Sequence, residues 1–329
     1  MSLAPVVKRP SIHQWQLCKQ QQQPLVSLTC YDYTTARVLD ACGLDFLLVG
    51  DSLAMTVLGH ENTLQVTLDE MIHHTRAVVK GAPQTVVVAD MPFMSYGVTV
   101  GDTVRAAGKM LQQSGCQMVK MEGASPVVLD SIRQLVGLGI PVMGHLGLTP
   151  QHVNTLGGFT LQAKTKEAVL QLIQDAKALE AAGVSALVLE LIPHPVASAV
   201  SQLLTIPTIG IGSGHGCDGQ ILVIDDILGR FDGFQPKFVR QYAQLGEQMQ
   251  QAVVAYQQDV RGRQFPQHDT EAFNVPKATQ AELLALLSEW QGGQSGRREA
   301  SWDWSVSETT LGRPCADPSA DLMLVLEDG

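Results

Sequence analysis

Eight short apolar runs recur along the chain, and each is bounded by residues typical of turns. Runs this continuous are typical of strands buried on both faces of a parallel sheet, although a buried helix segment can produce the same pattern. The runs are PLVSLTCYD, FLLVGDS, TVVVADMP, QMVKMEG, PVMGHLG, ALVLELIP, TIGIGSG and ILVIDDILG. The segments between them decide between strand and helix.

Three of the intervening segments have the pattern of helices with one apolar face. TLDEMIHHTRAVVKG begins with Thr67 and Glu70 in capping-box spacing, places apolar residues at helical intervals and ends at Gly81. TKEAVLQLIQDAKALEAAG repeats the pattern and ends at Gly183, and SPVVLDSIRQLVGLG is a weaker case. A strand followed by a helix is therefore the repeating unit that the sequence predicts.

The repeating unit indicates an α/β fold. Eight strand candidates that alternate with helices over about 240 residues predict a (β/α)8 TIM barrel. A doubly wound open sheet is the alternative, but no GxGxxG motif follows the first strand, and polar residues end strands throughout the series instead of near one switch point. The last connection between strands is too short for a full helix, and PKFVRQYAQLGEQMQQAVVAYQQDV is predicted to form the closing helix.

We predict three segments along the chain. Residues 1–24 form an N-terminal helical segment that closes one end of the barrel, and residues 25–274 form the barrel itself. Residues 275–329 form a C-terminal extension, which is rich in Gly, Ser and acidic residues and carries 9 acidic and 4 basic side chains. That composition predicts a flexible appendage with one short helix near TQAELLALLSEW.

Composition narrows the classes of function. The formal net charge is −10 and no cluster of Lys and Arg marks a nucleic-acid footprint, so small molecules are the expected partners. No segment approaches the roughly 18 apolar residues of a membrane span, and the N-terminus lacks the apolar run of a signal peptide. The 6 cysteines are scattered without a CxxC pair. We expect a cytoplasmic protein with reduced thiols, without membrane or nucleic-acid partners.

Polar side chains stand where five of the predicted strands end: Asp51, Asp90, Lys120, Glu122, His145 and Glu190. In a barrel, all of them would lie at the C-terminal mouth, where barrel enzymes carry their chemistry. Four converging carboxylates raise one another's pKa values, so a cation is expected among them. Oxygen ligands without Cys, and with one nearby His, indicate a hard ion such as Mg²⁺ rather than Zn²⁺.

Each of these residues also has a purely structural interpretation. A single Asp after a strand is often a helix cap or a turn residue, and Ser52 could itself be the cap after Asp51. Lys120 could serve only in an ion pair, and His145 could be a loop histidine before a helix start at Thr149. The glycine-rich GIGSGHGCDGQ could bind phosphate, but it lacks the GxxxxGK[ST] pattern, so close backbone packing is favoured. Recurrence of acids at several strand ends favours a shared function over capping.

Seven motifs in order closely resemble the ketopantoate hydroxymethyltransferase family: TCYDYTTA, LLVGDSLAMTVLGHENTLQVTLDEM, VVADMPFMSY, MVKMEG, GHLGLTPQHVN, LVLELIP and IGIGSGHGCDGQILV. The resemblance covers residues 11–273 and implies a barrel of the phosphoenolpyruvate/pyruvate-binding type. It implies Mg²⁺-dependent transfer of a hydroxymethyl group from 5,10-methylenetetrahydrofolate to 3-methyl-2-oxobutanoate, giving 2-dehydropantoate on the route to pantothenate. One Mg²⁺ per subunit and a homo-oligomer, commonly a decamer, are also implied. Residues 275–329 match nothing in the family pattern.

The resemblance assigns roles to residues at matching motif positions. The metal-site residues that it implies are Asp51, Asp90 and Glu122. The residues that it implies for binding the keto acid are Asp51, Ser52, Asp90 and Lys120. It implies that Glu190 is the proton acceptor and that His145 has a supporting role in the active site.

Two other functions compete with this one. A Mg²⁺-dependent carbon–carbon lyase for another keto acid would use a similar set of acids, and folate-free aldol cleavage would identify it. A non-catalytic paralogue whose C-terminal extension recruits a partner is the hypothesis from a different class. The intact set of charged residues argues against that scaffold role, since a binding protein has no need of it.

Overall fold

The computed structural model describes residues 11–230, 233, 235–273 and 275–292. Eight parallel strands form a closed barrel in which each strand pairs with its neighbours in sequence and the last pairs with the first. The strands are β1 (Leu25–Thr29), β2 (Phe46–Val49), β3 (Val86–Asp90), β4 (Met118–Glu122), β5 (Val142–Gly147), β6 (Ala186–Glu190), β7 (Thr208–Ile211) and β8 (Gly219–Leu222). Seven of them lie within apolar runs and β8 begins two residues before the eighth run, so the predicted TIM barrel is confirmed.

Helices connect most of the strands, and short 3-10 turns lie at Thr63–Gln65 and Pro150–His152. The helices within the described residues are α1 (Ile12–Gln20), α2 (Tyr33–Asp40), α3 (Leu53–Thr56), α4 (Leu68–Gly81), α5 (Val100–Ser114), α6 (Pro126–Gly137), α7 (Val153–Leu156), α8 (Lys166–Ala182), α9 (His194–Leu203), α10 (Ile224–Ile227), α11 (Leu245–Arg261) and α12 (Lys277–Gly292). The capping box of α4 forms as predicted, because Thr67 and Glu70 each accept a hydrogen bond from the other's backbone N–H.

Two apolar clusters hold the barrel together. The larger one lies between the strands and the surrounding helices and contains the buried faces of α4 and α8. The smaller one contains alternate residues of the strands, which face the barrel interior. Trp15 of α1 belongs to this inner cluster, with its ring centroid 4.9 Å from that of Phe46. Because Phe46 begins β2, this contact places α1 at the N-terminal end of the barrel.

The predicted closing helix is wrong over its first nine residues. The helix was predicted to start at residue 236, but α11 begins at Leu245. The residues before α11 form backbone hydrogen bonds with the end of α10 and the residue after it. The Tyr242 N–H donates to the Ile227 carbonyl at 2.7 Å, and the Leu245 N–H donates to the Leu228 carbonyl at 2.8 Å. These tertiary hydrogen bonds occupy backbone groups that a helix would have used internally.

The chain divides into two compact units, residues 1–254 and 255–329. The barrel strands all lie in the first unit. In the second, the described residues contain the end of α11 and the helix α12, which includes the predicted short helix near TQAELLALLSEW. The predicted boundaries at residues 24 and 274 stay predictions, and the predicted flexibility of residues 293–329 lies outside the described residues. No helix in the described part of the chain has the length and apolar character of a membrane span.

Candidate active site

The polar residues at the strand ends continue the inward-facing rows of the barrel. In β3, Val86 and Val88 face the interior, so Asp90, two residues further on, faces it as well. The same alternation directs Lys120 and Glu122 inward from β4, following Met118. It also directs His145 inward from β5 and Glu190 from β6. The strand period therefore carries these side chains to the C-terminal mouth.

Strand register sets which of these side chains meet. Asp90 lies opposite Lys120 across the β3–β4 pair, and their side chains form a buried ion pair at 2.6 Å. Burial alone would lower the pKa of Lys120, but the carboxylates of Asp90, Glu122 and Asp51 outweigh it and raise that pKa above its usual value. Lys120 is therefore a fixed ammonium group in the centre of the acids.

Asp51 joins this group from the loop after β2. Its backbone N–H donates to Asp90 Oδ2 at 3.0 Å, and only 4% of its surface is exposed. Burial, followed by the charges of Asp90 and Glu122, raises the pKa of Asp51 well above its ordinary value, and Lys120 offsets only part of this. A carboxylate in this position is stabilised by any further positive charge that enters the site.

Glu122, His145 and Glu190 form a row across β4, β5 and β6. His145 Nδ1 lies 3.3 Å from Glu122 Oε1, and His145 Nε2 lies 3.2 Å from Glu190 Oε2. Burial and Lys120 oppose protonation of the ring, but the two carboxylates outweigh them and raise the pKa of His145 to about 9. The two carboxylates therefore favour the protonated ring, and His145 lies on a strand instead of in a loop.

Ser52 does not act as a helix cap. It occupies the N-cap position of α3, but its side chain makes no capping hydrogen bond. Its hydroxyl oxygen lies instead 2.9 Å from the hydroxyl oxygen of Tyr31. The structural interpretation of Ser52 as a cap is therefore wrong, and Ser52 presents its hydroxyl at the mouth.

All seven predicted site residues line one cavity of about 580 Å³: Asp51, Ser52, Asp90, Lys120, Glu122, His145 and Glu190. Apolar side chains, among them Met55, Phe159 and Phe238, form much of the remaining wall. A cavity of this size and character, with polar groups converging at one place, is typical of small-molecule sites. The structure therefore brings together every residue that the sequence nominated.

The glycine-rich GIGSGHGCDGQ packs closely against α9. A Cβ atom at Gly214 would lie 2.5 Å from the Cβ of His194, and one at Gly216 would lie 2.7 Å from the Cβ of Ser198. Distances this short exclude any side chain at either position without movement of the helix. Close backbone packing, the favoured interpretation of this stretch, is confirmed.

Gln151 and Tyr96 are site residues that the sequence did not nominate. Both are buried beside the acids, and Gln151 donates hydrogen bonds to Asp51 and Glu122. Gln151 stands two residues after the suggested helix start at Thr149, within the quoted motif GHLGLTPQHVN. A polar residue in a loop carries no periodic signal, so the motif was the only available indication.

The donor set suits a hard divalent cation. Carboxylate oxygens are the ligands that Mg²⁺ prefers, and Glu122 Oε1 is buried without an aligned hydrogen-bond partner among the described residues. Within the same residues, no group of three or more His, Cys, Asp or Glu side chains is already arranged around a common metal position. Mg²⁺ commonly takes one or two carboxylates and completes its shell with water and substrate oxygens, so the residues fit such an ion.

The fold and the site define a (β/α)8-barrel enzyme whose charged residues surround a cavity at the C-terminal mouth. The family model described as ketopantoate hydroxymethyltransferase matches residues 9–268, and the chain belongs to this family. A protein of Enterococcus faecalis named 3-methyl-2-oxobutanoate hydroxymethyltransferase is 52% identical over 248 residues, which are 75% of this chain and 90% of that protein. One of the same name from Nitratidesulfovibrio vulgaris is 54% identical over 245 residues, 74% of this chain and 80% of that protein.

Solved structures share the fold at much lower identity. Phosphoenolpyruvate phosphomutase from Streptomyces platensis subsp. rosaceus superposes with a TM-score of 0.52 at 12% identity, covering 88% of this chain and 99% of that one. A 2,3-dimethylmalate lyase of the PEP mutase/isocitrate lyase superfamily gives a TM-score of 0.50 at 18% identity, covering 85% and 98%. At these identities the likeness concerns the barrel fold alone.

Proposed function

We propose that this protein transfers a hydroxymethyl group from 5,10-methylenetetrahydrofolate to 3-methyl-2-oxobutanoate, giving 2-dehydropantoate and tetrahydrofolate. The observation that carries the proposal is the buried set of acids around the Lys120 ammonium, in one cavity of about 580 Å³, in a chain of this family. The keto acid is an anion with a carbonyl group to be polarised. The site offers the Lys120 ammonium for the carboxylate and carboxylates that can hold a divalent ion beside the carbonyl group.

One Mg²⁺ per subunit is part of the proposal. Asp51 and Asp90 would hold the ion through their carboxylates, with Glu122 as a third metal-site residue. The ion, when bound, would polarise the keto group and stabilise negative charge that develops on its oxygen. The raised pKa of Asp51 and the burial of the Glu122 carboxylate beside it support this assignment.

Lys120 and Ser52 are proposed to hold the keto acid. Lys120 donates to Asp90 at 2.6 Å and lies 3.4 Å from His145 Nδ1, so its ammonium group keeps at least one of its three donor hydrogens for a substrate carboxylate. The Ser52 hydroxyl lines the same cavity and can donate one hydrogen bond. Asp90 holds Lys120 in place through their ion pair. Asp51 holds Ser52 in place because the two residues are adjacent in the loop after β2.

Glu190 is proposed to remove the proton from C3 of the keto acid. Its side chain lines the cavity, and its Oε2 lies 3.2 Å from His145 Nε2, so His145 orients the carboxylate. The electron pair of the C3–H bond becomes the double bond of an enolate, and C3 then bonds to the methylene carbon of the folate. Both bonds from that carbon to the two folate nitrogens break, and one water supplies the hydroxyl group. The two nitrogens take up one proton from that water and the proton removed from C3.

The test is an assay of the purified protein with both substrates, with Mg²⁺ and after treatment with EDTA. We expect formation of 2-dehydropantoate that depends on the ion. Turnover that is absent or independent of metal would contradict the proposal. Full folate-free aldol cleavage of a keto acid, without hydroxymethyl transfer, would establish the lyase alternative instead.

Assembly and location belong to the same proposal. We propose a cytoplasmic homo-oligomer, of ten chains by resemblance to the family. Light scattering of the eluting protein measures the number of chains directly. A monomer would contradict the assembly without affecting the proposed chemistry, since all seven site residues come from one chain.

A further inference from the structure

Gln151 uses every side-chain hydrogen-bonding group it has on the residues of the site. It lies in the 3-10 turn after β5 and is 6% exposed. Its backbone N–H donates to Glu122 Oε2 at 3.1 Å, and its amide nitrogen donates to Asp51 Oδ2 and to the Met91 carbonyl, both at 2.9 Å. Its amide oxygen accepts from the Tyr96 hydroxyl at 2.7 Å.

The orientation of this amide is determined by its neighbours. Asp51 Oδ2 and the Met91 carbonyl both accept hydrogen bonds, so the amide nitrogen and not the oxygen must face them. At the other end, Tyr96 donates to the amide oxygen while its own oxygen accepts from the Glu122 N–H at 3.1 Å. The network therefore closes on itself and joins the loops after β2 and β3 to the end of β4.

The network leaves one oxygen of each acid unused by Gln151. It binds Oδ2 of Asp51 and Oε2 of Glu122, and the opposite oxygen of each carboxylate is not engaged by it. Two buried carboxylates repel each other, and a neutral residue that donates to both holds them in place without neutralising either. Groups that orient metal ligands in this way affect ion affinity strongly, although they do not touch the ion.

We propose that Gln151, oriented by Tyr96, is a positioning residue that holds the Asp51 and Glu122 carboxylates for a divalent cation. This inference rests on the proposed function, since it requires that these acids bind an ion. Removing the amide should release Asp51 to turn away from Glu122. We expect Mg²⁺ affinity to fall by about 10–100-fold, the range found when such orienting partners are removed.

The test is calorimetric titration of the full-length protein with Mg²⁺, without substrates. The variants are Gln151→Leu and Tyr96→Phe. The second variant keeps the ring of Tyr96 but removes its hydroxyl. The matched control is Gln117→Leu, because Gln117 also bonds backbone groups, accepting from the Val87 N–H and donating to the Gly115 carbonyl, at the opposite end of the strands. We expect Gln151→Leu to lose about 10–100-fold, Tyr96→Phe a smaller amount in the same direction, and Gln117→Leu less than about twofold.

The outcomes separate this role from the proposed function. If wild-type protein binds Mg²⁺ and both Gln151→Leu and Tyr96→Phe bind it within twofold of wild type, the positioning role is refuted alone. An equal loss in Gln117→Leu would also refute it, because the effect would then be general destabilisation. Wild-type protein that binds no divalent ion would overturn the proposed function and this role together. If Gln151→Leu does not fold, Tyr96→Phe decides the question in the same assay.

Discussion

The replacement of Glu190 by Gln isolates its proposed role as the base. The two side chains have the same shape, but the amide cannot accept a proton at neutral pH. The Glu190 side chain is 16% exposed and contacts His145 Nε2 at 3.2 Å, a contact that an amide oxygen preserves. A hydrogen bond to a charged group contributes about 1 kcal/mol more than a neutral one, so we expect a loss of stability no larger than about 1 kcal/mol.

The expected loss of rate is much larger than the loss of stability. A positioned general base contributes about 10²–10⁴-fold, and each tenfold step corresponds to about 1.36 kcal/mol of activation free energy. Glu190→Gln should therefore raise the barrier to proton removal by about 3–5 kcal/mol. The KM for the keto acid should change little, because Lys120 and Ser52 are unaltered.

The assay is exchange of the C3 proton of 3-methyl-2-oxobutanoate in D₂O with Mg²⁺ and without folate, followed by NMR. Glu180→Gln is the matched control, because the Glu180 carboxylate accepts hydrogen bonds from the Thr205 N–H at 2.6 Å and hydroxyl at 2.8 Å, away from the cavity. That variant should exchange at the wild-type rate. Exchange by Glu190→Gln within about threefold of wild type, far below the expected range, would refute the assignment of Glu190 as the base.

Three further predictions concern stability and are measured by calorimetry. Lys120→Met leaves its buried carboxylate partner uncompensated, so we expect a loss of about 3–5 kcal/mol, and an unchanged melting temperature would contradict the ion pair's role. Gly147→Ala, at a φ of +95°, would place a Cβ against the Glu190 carbonyl oxygen, whereas Gly139→Ala, at +83°, meets nothing within 4 Å. Gly139→Ala should lower the free energy of unfolding by about 1 kcal/mol, and Gly147→Ala should lower it clearly more. Equal losses in the two variants would exclude the clash at Gly147. Burial raises the pKa of the half-buried Asp226 carboxyl to about 6, and the charge of Asp225 adds to the shift. Ionisation of Asp226 therefore opposes folding, and the stability of the protein falls as the pH rises from about 4 to 6. With allowance for solvent, Asp226→Asn should gain about 1 kcal/mol at pH 8 and nothing at pH 4, and an equal gain at both would contradict this.

The barrel was predictable because its strands are buried on both faces. Such strands read as continuous apolar runs, and the capping box at Thr67 and Glu70 marked the helix between two of them. The chain before Leu245 was not predictable in the same way. Its hydrogen bonds go to carbonyls near Leu228, and no local pattern records a tertiary partner of that kind.

The residues of the candidate site also differ in whether a local sequence pattern predicts them. Asp90, Lys120 and His145 were predictable because a period of two residues carries a strand's inward-facing row directly to the mouth. Gln151 and Tyr96 come from loops, and their contacts depend on how those loops fold over the strand ends. Sequence periodicity therefore locates the charged groups of β3 to β6, while the residues that hold them in place become visible only in three dimensions.

The charge balance of the mouth predicts an order of binding. Five carboxylates and three cationic side chains line the cavity: Asp51, Asp90, Glu122, Glu190, Asp226, Lys120, His145 and Lys237. With the acids ionised and His145 protonated, the net charge is −2, which repels an anionic keto acid and is neutralised by one divalent cation. Two unit charges about 4 Å apart interact by about 4 kcal/mol at an effective dielectric constant of about 20. We therefore expect keto-acid binding, measured by calorimetry after EDTA treatment, to be at least about 100-fold weaker than with Mg²⁺ present. Equal affinities would mean that Lys120 alone suffices for the substrate carboxylate and that the surrounding acids are protonated when it binds.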